Sequence, residues 1–129
     1  MTKELYDRLM TFGNDCEPFL THNYMRTTDL DDGTATVTLP MHTESLNRWG
    51  GAHGGILFSL CDVAMGMAIM TLRQEMVVTV NATIDYLAAA AAGSSARRTF
   101  FAVLRRSSAQ QRQQSALIAA HTMSLPSSA

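Results

Sequence analysis

At 129 residues the chain is long enough for one globular core and too short for a cofactor domain beside a substrate domain. Apolar residues make up 47% and charged residues 16%, which excludes a disordered chain and leaves apolar surface for a second copy of the chain to cover. Net charge is only -1, but residues 1–86 hold all eleven acids against five bases, while residues 87–129 hold five arginines and no acid, a basic stretch without the aromatic platform of a nucleic-acid binder.

The opening Met1-Thr2-Lys3-Glu4-Leu5 has no basic segment leading into an apolar run, so export is not expected and the cytoplasm is the expected compartment. Leu5, Leu9 and Phe12 fall at helical spacing behind Thr2, a cap residue, and predict a short amphipathic helix ending near Gly13-Asn14. From Phe19 to Leu39, β-favouring residues flank Asp29-Leu30-Asp31-Asp32-Gly33, and residues 34–39 alternate, which predicts two strands joined by a turn. Cys16 and Cys61 have no metal-ligand spacing and read as reduced packing thiols.

From Gly54 to Leu72 only Ser59, Asp62 and Thr71 have polar side chains. That length would span a bilayer, but a central Asp opposes insertion by ~2.5 to 3.5 kcal/mol, and Gly54, Gly55 and Gly66 dilute the hydrophobicity. A helix apolar on nearly every side is instead one wrapped by a sheet, and no membrane is expected. Met76 to Leu87 is β-branched and partly alternating, which predicts a strand. Beyond Leu87 the composition turns to alanine, serine and glutamine; Thr99 to Leu104 and Ala116 to Leu125 read as the remaining strands. With no linker or internal repeat, residues 1–129 read as one domain, atypical over 88–115.

The chemistry centres on Asp62, the one charge in the apolar stretch. A carboxylate among Phe58, Leu60, Val63, Ala64 and Met65 needs donors or water to stay charged, and such groups cluster at active sites; a helix face opening to solvent or to a partner is the structural alternative. Gly54 and Gly55 leave helix N–H groups approachable by a carbonyl oxygen, or else serve a turn needing positive φ. Eight residues separate Gly54 from Asp62, about 12 Å along a helix, so one substrate carbonyl cannot touch both in one chain. If the two cooperate, the site lies between two copies.

Asn47-Arg48-Trp49-Gly50-Gly51-Ala52-His53-Gly54-Gly55 followed by Leu60-Cys61-Asp62-Val63-Ala64 resembles the hotdog-fold thioesterases of the phenylacetate-degradation type, and Val78 to Leu87 looks like their following strand. The resemblance implies an α+β hotdog fold, an antiparallel sheet wrapped around one long central helix, assembled as a homodimer or a dimer of dimers. It implies hydrolysis of an acyl-CoA, with no metal and no cofactor beyond the coenzyme A of the substrate. By it, Asp62 is the nucleophile or general base and the Gly54 N–H polarises the carbonyl. Asn47 orients the acyl group or water, His53 supports the turn and approaches the carbonyl, and Thr79 helps hold the water. A non-catalytic acyl-CoA-binding or regulatory hotdog protein is the alternative, though it would not need Asp62. Residues 88–115 depart from the family pattern, so Arg97, Arg98, Arg105, Arg106 and Arg112 are candidates for the coenzyme's phosphates by charge alone.

Overall fold

The computed structural model describes residues 1–87, Ala89 and 99–104. Helix α1 (Lys3–Asp15) starts as its sequence dictates, with the Thr2 hydroxyl accepting the Leu5 N–H at 3.2 Å, and buries Leu5 and Leu9. Its end carries a device not evident from spacing. The Asn14 side chain accepts from the Thr27 N–H at 2.9 Å and donates to the Thr27 carbonyl at 3.0 Å, where the first hairpin shifts register between Thr27 and Asp29. An amide side chain thus supplies the two bonds of a missing neighbour strand.

The expected first strand begins later than its composition implies. Pro18–His22 is a short helix, α2, with Pro18 in its first turn, where a missing N–H is harmless, and Leu20 completely buried. Strands β1 (Arg26–Asp31) and β2 (Thr34–Pro40) then pair antiparallel, and Gly33, at φ 72°, supplies the left-handed corner between them. Alternation in β2 buries Ala35, Val37 and Leu39. Strand β3 (Thr99–Leu104) pairs antiparallel with β2, giving the order β1-β2-β3 among the described residues.

Helix α3 (Gly54–Arg73) lies on this sheet and buries Leu60, Cys61, Ala64, Met67, Ala68 and Thr71. Although α3 is long and apolar enough to cross a membrane, these residues make it the core helix of the fold. Burying each large apolar side chain contributes ~1.5 to 3 kcal/mol, and two clusters share the work. Leu20, Met25, Val37, Leu39, Leu60 and Ala64 belong to one; Leu5, Leu9, Leu30, Ala35, Met67 and Ala68 belong to the other. The Thr71 hydroxyl ties helix to hairpin, accepting the Gly33 N–H at 2.8 Å and donating to the Ala68 carbonyl at 2.7 Å. The helix stops at Gln74, whose φ of 54° is left-handed and whose N–H returns to the Met70 carbonyl.

The strand expected over Met76–Leu87 is not formed among the described residues. The segment pairs with no other strand there, and Val78, Val80 and Leu87 are almost fully exposed. Its composition favours an extended backbone, but a strand also needs a neighbouring row of N–H and C=O groups. It runs back along α3, touching Asp62 through Thr79, the core through half-buried Ile84, and Gly54 through Tyr86. The strand expected over Ala116–Leu125 lies outside the described residues.

Candidate active site

The polar residues singled out by sequence separate into two clusters along α3. Gly54 is the first residue of the helix and half-buried Asp62 lies two turns further on, about 12 Å along the axis and rotated by roughly 80°. The first cluster forms at the helix N-terminus. His53 is the cap: its Nδ1 accepts the Gly55 N–H at 3.0 Å, so a neutral ring holds its proton on Nε2. No acceptor among the described residues meets the Gly54 N–H. A cleft of about 350 Å³ opens here, lined by Asn47, Gly51, Ala52, Gly54, Leu57, Tyr86 and Ala89.

Asn47 builds one wall of that cleft. Its Oδ1 accepts the N–H groups of Trp49 at 2.9 Å and Gly51 at 3.1 Å, and its Nδ2 donates to the Ala52 carbonyl at 3.2 Å. The backbones of residues 47 and 51 close the same turn, with Gly50 at φ 77°. In this state the Asn47 side chain holds the loop that carries the cleft wall.

Neither Gly54 nor Gly55 serves a turn of positive φ, since both are helical. Tyr86 crowds this position instead: its Cζ and Oη would lie 3.2 Å from a Cβ added at Gly54, and its hydroxyl donates to the Gly54 carbonyl at 2.7 Å. Tyr86 is a site residue that spacing does not reveal. Its only sequence signal is an aromatic placed where a strand leaves the core.

In the second cluster the Thr79 hydroxyl donates to Asp62 Oδ1 at 2.5 Å, and no other donor among the described residues reaches that carboxylate. Beside it, Cys61 is buried, and desolvation, reinforced by the Asp62 charge, pushes its thiol up to about 11. That places Cys61 in the core as an un-ionised packing group, as expected, whereas Cys16, at the end of α1, is exposed and packs against nothing in the core. Thus the structure joins Asn47, His53 and Gly54 at one point and Asp62 and Thr79 at another, and does not bring the two together within one chain. No group of three or more potential metal ligands occurs among the described residues. Arg97, Arg98, Arg105, Arg106 and Arg112 lie outside them.

An antiparallel sheet laid on one long core helix is the hotdog architecture. Comparison with known proteins agrees. The family model of the thioesterase superfamily matches residues 50–100. Among solved structures, a conserved protein of Pseudomonas aeruginosa is 35% identical, covers 74% of this chain and 74% of its own, and superposes with a TM-score of 0.63. The PaaI protein of the Escherichia coli phenylacetic acid degradation operon is 30% identical over 69% of this chain and 61% of its own, with a TM-score of 0.59. A Streptococcus mutans protein solved with bound acetyl-CoA is 32% identical over 63% of this chain and 61% of its own, with a TM-score of 0.52. A Saccharolobus solfataricus protein, provisionally named an esterase, is 37% identical over 60 residues, and the match spans only 43% of that relative's length. The chain belongs to the thioesterase superfamily and is similar to its phenylacetate-degradation members.

Proposed function

We propose that the protein is a cytoplasmic acyl-CoA thioesterase, active as a homodimer or a dimer of dimers, with each site completed by two protomers. The observation that carries this reading is the separation of the two clusters along α3. One has a cleft and an uncommitted N–H, the other a carboxylate with its hydroxyl. Neither alone suffices for acyl transfer. The acetyl-CoA held by the Streptococcus mutans relative supports a coenzyme A thioester as the substrate class.

The acyl group enters the cleft beside Ala52 and Leu57, and its carbonyl oxygen takes a hydrogen bond from the Gly54 N–H. That bond strengthens as the oxygen becomes negative, which lowers the barrier more than it tightens substrate binding. A neutral His53 holds a second donor, its Nε2–H, on the residue before Gly54. Across the interface, the partner's Asp62 does one of two things. As general base it takes a proton from water, whose oxygen bonds to the carbonyl carbon; the C–S bond then breaks and the proton passes to the departing thiolate. As nucleophile its own oxygen bonds to that carbon and the thiolate leaves; water then cleaves the mixed anhydride to the free acid and the regenerated carboxylate, and its second proton goes to the thiolate. Thr79 fixes the rotamer of Asp62 and leaves the second carboxylate oxygen to act. Asn47 holds the cleft wall. Water supplies the atoms of the reaction, so no metal or redox cofactor is needed.

The test is release of free coenzyme A across short, long and aromatic acyl-CoAs, with the Asp62→Asn variant alongside. Turnover of at least one class, lowered by ~10²-fold or more in the folded variant, is the expected result. Equal turnover in wild type and variant would remove Asp62 from the mechanism.

A further inference from the structure

We propose that Arg48 and Trp49 form a landing platform for the nucleotide end of the coenzyme, a purine ring carrying phosphate; this rests on the thioesterase reading above. Trp49 is the only tryptophan of the chain and is 83% exposed. Met76, Val78, Val80 and Leu87 are as exposed, but among the described residues Trp49 is the exposed side chain that pairs a broad aromatic face with a cation. The ring is not on a loose tail. Its backbone N–H is held by Asn47 Oδ1 at 2.9 Å, inside the turn closed by residues 47 and 51. Asn47 and Gly51 both line the cleft, so residues 48 and 49 project from the cleft's own rim.

The Arg48 guanidinium carbon lies 5.3 Å from the indole centroid, so one face of the ring carries a cation and the other is open. Arg48 makes no salt bridge among the described residues, and its charge is available to an anion. An exposed aromatic face backed by a cation is the combination that takes a stacked base together with its phosphate. The geometry of the substrate asks for such a point. When the thioester sits at Gly54, the pantetheine arm carries the nucleotide away from the cleft. Five residues separate Trp49 from Gly54, which limits their separation to ~18 Å.

Because Trp49 is unique, its fluorescence reports the platform directly in the full-length protein. Adenosine 3',5'-bisphosphate and coenzyme A should each shift or quench the emission saturably, with apparent affinity falling as salt rises, whereas pantetheine should not. Trp49→Ala and Arg48→Gln should raise KM for acyl-CoA by ~5- to 150-fold at unchanged kcat, as loss of one stacking or phosphate contact implies. Both should leave an acyl thioester of N-acetylcysteamine untouched, and Trp49→Phe should recover most of the loss. Emission insensitive to the bisphosphate, together with unchanged KM in both variants, overturns the platform even if thioesters are hydrolysed. A nucleotide-responsive emission without hydrolysis of any thioester would uphold the platform and overturn the enzymatic reading instead.

Discussion

Replacing Gly54 by alanine separates the folding role of that residue from its chemical one. An added Cβ would lie 3.2 Å from Tyr86 Cζ and Oη, inside the ~3.5 to 4.0 Å at which such atoms attract, so the ring must retreat by a few tenths of an ångström. Tyr86 is 54% exposed and has room to do so. The cost is the bond from its hydroxyl to the Gly54 carbonyl, ~0.5 to 1.5 kcal/mol at most for a group that regains water. Against it stands the helical preference of alanine over glycine, up to ~1 kcal/mol and smaller at a first helical position. These nearly cancel, so stability should change by no more than about 1 kcal/mol, a few degrees in Tm.

Turnover should respond very differently. A side chain at the first helical position leans back toward the N-terminus, into the space where the carbonyl approaches the Gly54 N–H. Losing that donor should lower kcat/KM by ~10² to 10³-fold. Urea denaturation and acyl-CoA hydrolysis measured on one preparation give both numbers. Combining Gly54→Ala with Tyr86→Ala relieves the crowding but also removes the hydroxyl's bond to the Gly54 carbonyl, so stability should stay within ~0.5 to 1.5 kcal/mol of the single variant while turnover stays low. A folded Gly54→Ala protein with near wild-type kcat/KM would refute the role of this N–H. Restored turnover in the double variant would place the defect in the displaced ring.

Thr71→Val keeps the shape of a buried side chain but orphans the Gly33 N–H, so urea denaturation should show a loss of ~1 to 3 kcal/mol with m unchanged. Thr79→Val touches only an exposed contact with Asp62, and should cut turnover by ~10-fold or more while Tm stays within a degree or two; a fall in Tm at unchanged turnover would make Thr79 a structural residue. Thiol reagents at pH 8 should label exposed Cys16 at once and Cys61 only on unfolding. Because the folded Cys61 pKa is raised above 9.0, the unfolded chain loses its proton first, so Cys61 adds nothing below pH 9 and lowers stability as pH climbs to about 11. A Cys61→Ser control that follows the same alkaline curve would assign that loss elsewhere.

The sequence made the long helix readable because an apolar run interrupted by one acid has few other homes, and α3 occupies Gly54–Arg73. It also showed that Gly54 and Asp62 stand apart, since a rise per residue turns their spacing into the distance that α3 keeps between them. Alternation identified β2, and Thr99–Leu104 appeared as β3. What stayed hidden depends on contacts between distant residues. Asn14 reads as a helix stop, yet it also repairs a register shift at Thr27. His53 is an uncommon cap residue, and nothing near it in sequence shows that its ring accepts the Gly55 N–H. Met76–Leu87 has strand composition, but pairing depends on a neighbour that composition cannot specify. The glycine at 54 reads either as a helix start with an open N–H or as a turn of positive φ; it starts α3, and the crowding against it comes from Tyr86, 32 residues away.

The division of the site between protomers is tested most directly by mixing two inactive chains. Asp62→Ala removes the carboxylate. Gly54→Pro removes the N–H with little damage, because proline suits a first helical position and His53, at φ -69° and ψ 134°, already has the backbone a following proline requires. Each heterodimer of the two variants holds one intact site and one doubly defective site, so a co-refolded equal mixture should regain about a quarter of wild-type turnover. Mass spectrometry of the mixture confirms that heterodimers have formed. Recovery near that level is the predicted result; heterodimers as inactive as either parent would contradict a site completed by two chains.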